Sequence, residues 1–534
     1  MGVLMRIEAL EDLVLGNILR ERAITHRDVI FLRFREGDLT YREVEDMSRR
    51  MAQGLSRLGI GPGDHVAVML PNCPEFLYVL FALSFLGSVA VPVNIAYKGE
   101  FLRHVLVTSN ATLLIIDESY TDRLPPIANQ VPGLTRLIVR TEKEHDVLLN
   151  LLGKPTFVMS HILGDGSEQP DAAISFADPQ AVLFTSGTTG RSKGVVVPHA
   201  LALTCALDSL NFLNRWNKTT YCPLPLFHAA ALWDGVMAAM LSGGSIAIVD
   251  RFSASRFWND VRRFRSQVAL SVFSIIPILL NQPPTPRDKD HLLEMFYMGK
   301  SVMDKPLTER FGVRAVETYT STEVGIATAS PYGEWRDGSC GQAHDRRFEV
   351  AVVDEWDRSV GPGIPGELVV RPKQPFIMTP GYHNDPEATS HKFRNLWFHT
   401  GDRAWYDQDG YFYFLDRMAD SIRRRGENIS SFDIECEVNL HPKVFECAAF
   451  GVPSELGEED IKLAVVRHPH SDLDTEDLIQ YCRENLPSFM VPRYIEFLDE
   501  LPRTPTDKIA KYQLRAASKT PITSSPILNP KEPL

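Results

Sequence analysis

The chain has 534 residues, too many for one ordinary hydrophobic core, so we expect at least two domains. Hydrophobic residues make up 44% of it and charged residues 23%, which is typical of a soluble globular protein. The formal net charge of −12 at pH 7 argues against a nucleic-acid partner, because proteins that bind nucleic acid carry a basic surface.

The cysteines and the apolar runs exclude further classes of protein. The seven cysteines are scattered and contain no Cys-x-x-Cys pair, so we expect neither a disulfide framework nor a zinc site, and a reducing cytoplasm fits best. No signal-peptide core follows the N-terminus. The residues from Phe76 to Tyr97 carry no charge, but Gly87, Pro92 and Asn94 interrupt them. We therefore predict a helix and a buried strand here, and no transmembrane segment.

Helices and strands alternate along the first part of the chain. A helix is predicted to begin at Thr40, where Glu43 completes a capping box, and to end at Gly59. Buried strands are predicted at Val66–Leu70, Val89–Val93, Thr112–Ile116, Ser245–Val249 and Ala269–Phe273. This alternation predicts an α/β fold of stacked, mainly parallel sheets covered by helices.

The pattern of predicted secondary structure changes after about Phe348. Short alternating strands, Phe348–Val353 and Glu367–Val370, predict a small β-barrel-like subdomain. A hinge is expected at 416–420, followed by a small mobile α+β domain at 421–515, of a size that can fold as a unit. We therefore divide the chain into an N-terminal domain at 1–415, the hinge, the C-terminal domain, and a proline-containing disordered tail at 516–534.

One loop is rich in groups that bind phosphate. It follows the apolar run Ala181–Phe184 and consists of Thr185, Ser186, Gly187, Thr188, Thr189, Gly190, Arg191, Ser192, Lys193 and Gly194. Glycines let backbone N–H groups approach an anion, hydroxyls add donors, and the ammonium of Lys193 adds positive charge. The sequence therefore predicts a site for a nucleoside triphosphate.

The loop does not match the Walker A pattern. Counted from Gly187, the second required glycine falls on Ser192, and Lys193 is followed by Gly194 where Ser or Thr is required. The β-branched run that follows, Val195–Pro198, predicts a strand and not a helix. We therefore predict a loop that joins two strands, and its place between apolar strands argues against a flexible linker.

The loop resembles the phosphate-binding signature of the adenylate-forming enzymes, the superfamily of acyl-CoA synthetases, luciferases and peptide-synthetase adenylation domains. The resemblance covers roughly Leu39 to Arg515, with several motifs in the family's order. It implies a ligase that uses ATP, Mg²⁺ and CoA with a small carboxylic acid. The acid and ATP give acyl-AMP and pyrophosphate, and the CoA thiolate then displaces AMP.

The resemblance also assigns roles in the nucleotide site. In the segment Tyr319–Glu323, Tyr319 is expected to stack on adenine beside Thr320, Thr322 to contact the α-phosphate, and Glu323 to hold Mg²⁺. Asp402 is expected to accept from the ribose hydroxyls. The other implied nucleotide contacts are the backbone at Gly299, the hinge residue Arg417, and the hydroxyls and Lys193 of the phosphate loop.

Three further segments resemble the parts that act on the acid and on CoA. Lys508, in Leu501–Ile509, matches the catalytic lysine that bridges the carboxylate and the α-phosphate. The segment Pro223–His228 resembles the family's acyl-site entrance, and His228 matches the residue that separates the nucleotide site from the acyl pocket. Arg425 and Gly426 belong to a segment that CoA ligases bring to the active site after the small domain rotates. The pocket lining is expected to include Trp233, Met237, Ser274, Ile275 and Pro277.

The sequence departs from the family's pattern at Ser192, Thr320, Ala419 and Asp507. These departures leave open a nucleotide-binding homologue with impaired catalysis. An acyl carrier protein as acceptor and a luciferase-like oxidation also remain open, since both share the first step. The segment around Arg424–Ser430 resembles the carnitine and crotonobetaine CoA ligases.

Overall fold

The structure is a computed structural model that describes residues 9–142, 151–167, 172–185, 192–272, 275–280, 282–299, 301–417, 421–424, 427–439, 441–454, 458–468, 471–502, 509 and 511–518. Its α-helices are α1 (Leu15–Thr25), α2 (Tyr41–Arg57), α3 (Pro74–Leu86), α4 (Gly99–Thr108), α5 (Met159–Ile162), α6 (His199–Phe212), α7 (Ala238–Ser242), α8 (Ala254–Phe264), α9 (Ile275–Leu280), α10 (Asp304–Phe311), α11 (Pro386–Lys392), α12 (Ser431–Val438), α13 (Thr475–Asn485) and α14 (Lys511–Ala517).

The strands of the first half are β1 (Ile30–Arg33), β2 (Asp38–Thr40), β3 (His65–Met69), β4 (Val89–Pro92), β5 (Leu113–Asp117), β6 (Arg136–Arg140), β7 (Thr156–Val158), β8 (Pro179–Thr185), β9 (Lys193–Pro198), β10 (Thr220–Cys222), β11 (Ile246–Ile248), β12 (Val268–Leu270), β13 (Met295–Tyr297) and β14 (Arg314–Val316). Those of the second half are β15 (Tyr319–Ser321), β16 (Gly325–Ala329), β17 (Gly341–Ala343), β18 (Phe348–Val353), β19 (Gly366–Pro372), β20 (Phe393–Arg394), β21 (Trp397–Tyr406), β22 (Tyr411–Arg417), β23 (Ser421–Arg424), β24 (Glu427–Ser430), β25 (Val444–Pro453), β26 (Glu459–Arg467) and β27 (Tyr494–Phe497).

Local sequence signals set the first helices. The Thr40 side chain accepts from the Glu43 amide and the Glu43 carboxylate accepts from the Thr40 amide, so the predicted capping box is present at the start of α2. Pro74 begins α3, and Gly87 ends it in the left-handed conformation at φ +67°. The uncharged run thus folds as the predicted helix and strand. No helix in the described ranges is long and apolar enough to cross a membrane.

Two seven-stranded sheets form the larger part of the described structure. Their orders are β7-β6-β5-β3-β4-β8-β9 and β14-β13-β12-β10-β11-β1-β2. All pairs are parallel except β8 with β9 and β1 with β2. One hydrophobic core joins both sheets to α1, α2, α3 and α6, and a second lies on the other face of the first sheet. Both faces are buried, as expected of parallel sheets, so the predicted fold class is confirmed.

The predicted barrel-like region is an eight-stranded antiparallel sheet of order β15-β16-β17-β22-β21-β19-β18, with β20 paired to β21. Its own core includes Phe348, Leu368 and Phe412. No strand pairing closes the sheet into a barrel within the residues that the structure describes. The ends of β15 and the middle of β21 carry predicted nucleotide-site residues, so this sheet positions the site.

The C-terminal part has its own hydrophobic core, built on the three-stranded sheet β25-β26-β27 with α12 and α13. A two-stranded hairpin, β23 with β24, precedes it and contributes Ile422 and Ile429 to that core. Helix α14 continues to Ala517, two residues into the predicted tail, and the tail from residue 519 onward lies outside the described residues.

Candidate active site

The two ends of the predicted phosphate loop lie side by side. Strands β8 and β9 are antiparallel, and Thr185 pairs in register with Lys193. The loop therefore joins two strands, as predicted, and a strand follows it where Walker A requires a helix. At the start of β9, the Ser192 carbonyl oxygen lies 2.8 Å from His104 Nε2, which donates to it.

A tyrosine links the predicted phosphate lysine to the predicted magnesium ligand. Lys193 Nζ lies 5.2 Å from the centre of the Tyr382 ring. The Tyr382 hydroxyl donates to Glu323 Oε1 at 3.1 Å, and the Thr379 amide donates to the Glu323 carbonyl oxygen at 2.8 Å. Glu323 is thus held through both its carboxylate and its backbone, in the turn between β15 and β16 that also carries Thr322.

Two predicted nucleotide-site residues from different strands are hydrogen-bonded. The Tyr319 hydroxyl on β15 donates to Asp402 Oδ2 on β21 at 2.6 Å, and both side chains are buried. The neighbouring Thr320 side chain hydrogen-bonds the Cys205 thiol on α6. The family's glycine at this position is replaced by a residue with a packing contact of its own.

The loop that carries Asp402 is held by Glu367. Its two carboxylate oxygens accept from the Gly401 amide at 3.0 Å and from His399 Nδ1 at 2.9 Å. Burial acts to raise the pKa of Glu367, but His399 and the Gly401 amide favour the ionised form and the pKa is lowered. Gly401 has φ +78°, a conformation that glycine adopts without strain. This anchoring fixes the direction of the Asp402 carboxylate.

Lys392 is a site residue that the sequence did not reveal. It ends α11, and its ammonium donates to the Thr400 carbonyl oxygen at 3.0 Å. Burial lowers the pKa of Lys392, while Glu323, Asp402 and Glu367 act to raise it. One partly buried ammonium therefore interacts electrostatically with three carboxylates from separate segments. No local pattern marks Lys392, because these carboxylates meet it only through the fold.

The predicted acyl-site entrance is clamped by Asn72, another residue that the motifs did not indicate. Its side-chain amide donates to the carbonyl oxygens of Leu224 at 2.9 Å and Val249 at 2.8 Å. Its carbonyl oxygen accepts from the Leu226 amide at 2.8 Å. Two of these hydrogen bonds hold the segment that leads to His228, and the third ties the same side chain to Val249, just after β11.

His228 contacts the C-terminal hairpin. Its Nε2 lies 2.8 Å from Glu427 Oε1, at the start of β24. Burial acts to raise the pKa of Glu427, but the nearby His228 and Arg423 favour its charged form and the pKa is lowered. The segment with the predicted CoA-ligase signature therefore reaches the predicted acyl-site entrance.

A second contact between the two parts of the chain lies beside α4. Phe101 and Phe489 each pack against both the C-terminal core and the core on the outer face of the first sheet. The Lys98 ammonium donates to the Arg483 carbonyl oxygen. Apolar packing and a hydrogen bond thus hold the C-terminal part against the larger one, in addition to the contact at His228.

The predicted adenine-contact strip is tightly packed. An added Cβ at Gly299 would lie 2.7 Å from Ile276 Cδ1, so a larger residue here would require the Ile276 side chain to shift. Met298, just before it, has φ +66°, which is uncommon for a residue other than glycine and often marks functional sites.

Several predicted residues cannot be placed. Arg417 lies opposite Asp402 in the register of β21 and β22, but the structure describes only its backbone. The following lie outside the described residues: Ser186, Gly187, Thr188, Thr189, Gly190, Ser274, Ala419, Arg425, Gly426, Asp507 and Lys508. The roles of these residues stay predictions.

A buried polar cluster lies behind the acyl-site entrance. Arg215 and Asp234 are 1% and 2% exposed, and Arg215 Nη2 lies 4.0 Å from Asp234 Oδ1. The Arg215 side chain donates to Ser209 and lies over the ring of Tyr297 at 5.3 Å. Asp234 and the predicted pocket residue Trp233 belong to a π-helical segment, Ala230–Met237, a rare form that is frequent at functional sites.

Comparison with known proteins identifies the chain. The sequence profile described as "AMP-binding enzyme" matches residues 19–383, and "AMP-binding enzyme C-terminal domain" matches residues 433–508. The chain belongs to the AMP-binding enzyme family. A crotonobetaine/carnitine–CoA ligase from Salmonella arizonae is 32% identical over 488 residues, which cover 89% of this chain and 93% of that protein. A ligase of the same name from Citrobacter koseri is 32% identical over 495 residues, with the same coverage.

Solved structures of other enzymes share the fold. A Mycobacterium tuberculosis fatty acyl-CoA synthetase is 27% identical, with a TM-score of 0.67, and the match covers 96% of this chain and 99% of that one. An amide bond synthetase from Marinactinospora thermotolerans has a TM-score of 0.81 at 22% identity, covering 94% and 99%. The resemblance drawn from the sequence is confirmed, and the chain is an AMP-forming ligase of the acyl-CoA synthetase branch.

The predicted metal site at Glu323 offers few protein donor atoms. The described ranges contain no group of three or more His, Cys, Asp or Glu residues arranged to hold a metal ion. Glu323 instead offers one carboxylate near Lys193 and the phosphate-loop strands. Mg²⁺ is commonly held by one or two carboxylates together with substrate phosphates and water. The donor set at Glu323 therefore fits Mg²⁺ bound with ATP.

Asparagine in place of Asp402 is expected to raise the KM for ATP by about tenfold, because hydrogen bonds to a charged group contribute about 1.5–3 kcal/mol and the amide keeps only one acceptor oxygen. Initial rates at varied ATP measure this. Asp354→Asn is the control, since Asp354 bonds only to its own exposed turn in the described structure. An unchanged KM in the Asp402 variant contradicts a ribose contact.

The buried Asp234 is expected to make stability fall as pH rises. Burial raises the pKa of Asp234 to about 6 although Arg215 opposes the shift, against about 3.9 in an unfolded chain. The folded state binds more protons between these values, so the contribution of Asp234 to stability is greatest below about pH 4 and about 3 kcal/mol of it is lost by pH 7. Unfolding free energies of wild type and Asp234→Asn between pH 4.5 and 7.5 test this. Parallel curves contradict it.

Proposed function

We propose that this enzyme joins a small polar carboxylic acid to CoA through an acyl-AMP intermediate. The observation that carries this proposal is the convergence of residues from distant segments. Tyr319 bonds Asp402, and Tyr382 links Glu323 to Lys193. These are the side chains that adenylation requires at the base, the ribose, the metal and the phosphates.

In the first step an acid carboxylate oxygen attacks the α-phosphorus of ATP, and the bond from that phosphorus to the bridging oxygen breaks as pyrophosphate leaves. Lys193 and the phosphate-loop hydroxyls hold the departing phosphates. Thr322 contacts the α-phosphate, and Lys508 stabilises the negative charge that builds on its oxygens. Glu323 would hold Mg²⁺, which would neutralise phosphate charge when bound.

The ribose is held by Asp402. Its carboxylate already accepts from the Tyr319 hydroxyl, and each carboxylate oxygen accepts more than one hydrogen bond. Tyr319 thus orients the Asp402 carboxylate, which accepts hydrogen bonds from the ribose hydroxyls. Lys392 balances the charge of Asp402, Glu367 and Glu323, which would otherwise repel one another and the nucleotide.

In the second step the CoA thiolate attacks the acyl carbonyl carbon, and the bond to AMP breaks. The contact of Glu427 with His228 supports an arrangement suited to this step, because it brings the β23–β24 hairpin to the acyl-site entrance. Arg425 and Gly426, which lie between β23 and β24 in the sequence, are proposed to line the path of CoA. A rotation about 416–420 between the steps would exchange this hairpin for Lys508.

The acid is proposed to be a small polar one of the carnitine or crotonobetaine kind. The relatives from Salmonella and Citrobacter act on these acids by name, and the segment around Arg424–Ser430 resembles theirs. We also place the enzyme in the cytoplasm. Four of the described cysteines are buried free thiols, as in a reducing compartment: Cys73, Cys205, Cys222 and Cys482.

The test is a panel of acids with pyrophosphate and AMP release followed separately, with and without CoA. The panel contains crotonobetaine, carnitine, short and medium fatty acids and aromatic acids. Pyrophosphate release with an acid, and AMP release that requires CoA, support the proposal. AMP release that requires a pantetheinylated carrier protein instead of CoA contradicts the CoA step. Lack of pyrophosphate release with every acid contradicts the whole proposal.

A further inference from the structure

We propose that Arg215, Asp234 and Trp233 form a specificity site that recognises a hydroxyl or amide group on the acid. This inference rests on the proposed function, because it assigns one determinant of its substrate. The acid it predicts carries a neutral hydrogen-bonding group in addition to the carboxylate that reacts. A plain hydrocarbon chain lacks that group.

The cluster adjoins the segments that carry the active site. The Leu232 amide donates to the His228 carbonyl oxygen at 3.2 Å, so the π-helical segment with Trp233 and Asp234 continues directly from His228. Tyr297 ends β13 just before the Met298–Gly299 strip, and its hydroxyl accepts from Thr318 at 3.3 Å. The cluster therefore lies between the predicted acyl-site entrance and the strands of the nucleotide site.

Several polar atoms of the cluster have no hydrogen-bond partner among the described residues. Within the residues that the structure describes, no hydrogen-bond partner is found for Arg215 Nε and Nη1, Trp233 Nε1 or Asp234 Oδ1. The three side chains are at most 2% exposed. Native proteins pair nearly all buried polar groups, and each one left unpaired costs about 1–3 kcal/mol. A ligand group that both donates and accepts would pair with these three donor atoms and this acceptor.

The charge balance of the cluster favours a neutral substrate group. Arg215 and Asp234 already balance each other, and Ser209 and Tyr297 hydrogen-bond the Asp234 carboxylate. A further net charge in this buried place would have to be desolvated without an opposite charge to spare. A hydroxyl or amide adds no charge, donates to Asp234 Oδ1 and accepts from Arg215 or Trp233. In a betaine such as carnitine, the hydroxyl is the group that we assign here.

The cluster also predicts a strong preference. A site built to hydrogen-bond a substrate hydroxyl rejects the analogue that lacks it by as much as about 10⁴-fold, whereas one methylene in an apolar pocket changes specificity only about 10- to 200-fold. The analogue leaves the buried donors and the acceptor unpaired. The unsubstituted acids are therefore expected to be poor substrates.

Matched pairs of acids that differ only in the hydroxyl test the inference. We suggest carnitine with 4-trimethylammoniobutanoate, 3-hydroxybutanoate with butanoate, and 6-hydroxyhexanoate with hexanoate, comparing kcat/KM for thioester formation. A preference of at least about 100-fold for the hydroxylated member of one pair supports the site. Thioester formation with less than about threefold preference in every pair overturns the inference and leaves the proposed function standing. No product with any acid overturns both.

Variants assign the preference to the cluster. In the double variant Arg215→Met with Asp234→Leu, the hydroxyl preference is expected to fall below about tenfold while the KM for ATP stays unchanged. Such exchange of a buried ion pair for apolar residues is often tolerated. Trp233→Phe keeps the ring and removes one donor, so a smaller fall of about three- to tenfold is expected even where the double variant does not fold.

Arg347→Met is the matched control, because Arg347 pairs with the buried Asp208 on the same helix, α6, that carries Ser209. Its hydroxyl preference is expected to equal that of the wild type. An undiminished preference in Trp233→Phe and in a folded double variant overturns the assignment. So does an equal fall in the control.

Discussion

Replacing Lys508 with alanine is expected to abolish acyl-AMP formation while leaving thioester formation from supplied acyl-AMP largely intact. Lys508 lies in the segment that resembles the family's catalytic-lysine motif, and its ammonium is proposed to face the α-phosphate only in the first step. Loss of a preorganised charge partner in a transition state costs about 10²- to 10³-fold in rate. Pyrophosphate exchange into ATP measures the first step, and CoA-dependent AMP release from synthetic acyl-AMP measures the second.

Lys511→Ala is the control for this experiment. Lys511 lies three residues beyond Lys508, and its ammonium bonds Glu435 and Ser431 within the C-terminal part, each at 2.7 Å. Its removal is expected to affect stability and to leave the ratio of the two half-reactions unchanged. Equal loss of both half-reactions in Lys508→Ala contradicts the assigned role. Asp507→Gly, which restores the family's residue, is expected to preserve the split between the two steps.

Replacing Glu427 with alanine is expected to have the opposite effect. The Glu427 carboxylate accepts from His228 at 2.8 Å, across the junction between the hairpin and the acyl-site entrance. Hydrogen bonds to a charged group contribute about 1.5–3 kcal/mol, so thioester formation is expected to fall roughly 10- to 100-fold. Adenylation is expected to change little, because this step is proposed to depend on Lys508 and not on the hairpin. The same two assays separate the effects.

Asp472→Ala is the matched control for the Glu427 variant. Asp472 lies in the same C-terminal part and pairs with Lys443 in an exposed ion pair, which contributes little to stability. Both half-reactions are expected to proceed at wild-type rates. An unchanged rate of thioester formation in Glu427→Ala contradicts a role for the contact with His228. A loss confined to adenylation would assign this contact to the first step instead of the second.

The local parts of the fold were predictable because each rests on neighbouring residues. The capping box at Thr40 and Glu43, the proline start and glycine end of α3, and the strand after the phosphate loop are all confirmed. Strand ends differ by one to a few residues, since pairing with neighbouring strands, which composition does not specify, decides where a strand ends. The open sheet order in the barrel-like region depends on pairings between distant strands, which periodicity does not specify.

The sequence by itself determined the family and the class of reaction, because the motifs preserve order and chemistry along the chain. It also predicted a residue for each step. Only the tertiary structure brought Asn72, Lys392, Arg215 and Asp234 into the account. None of them lies in a pattern of its own. Each acts through residues that are distant in sequence, and a buried charge acquires meaning only from the groups that the fold places around it.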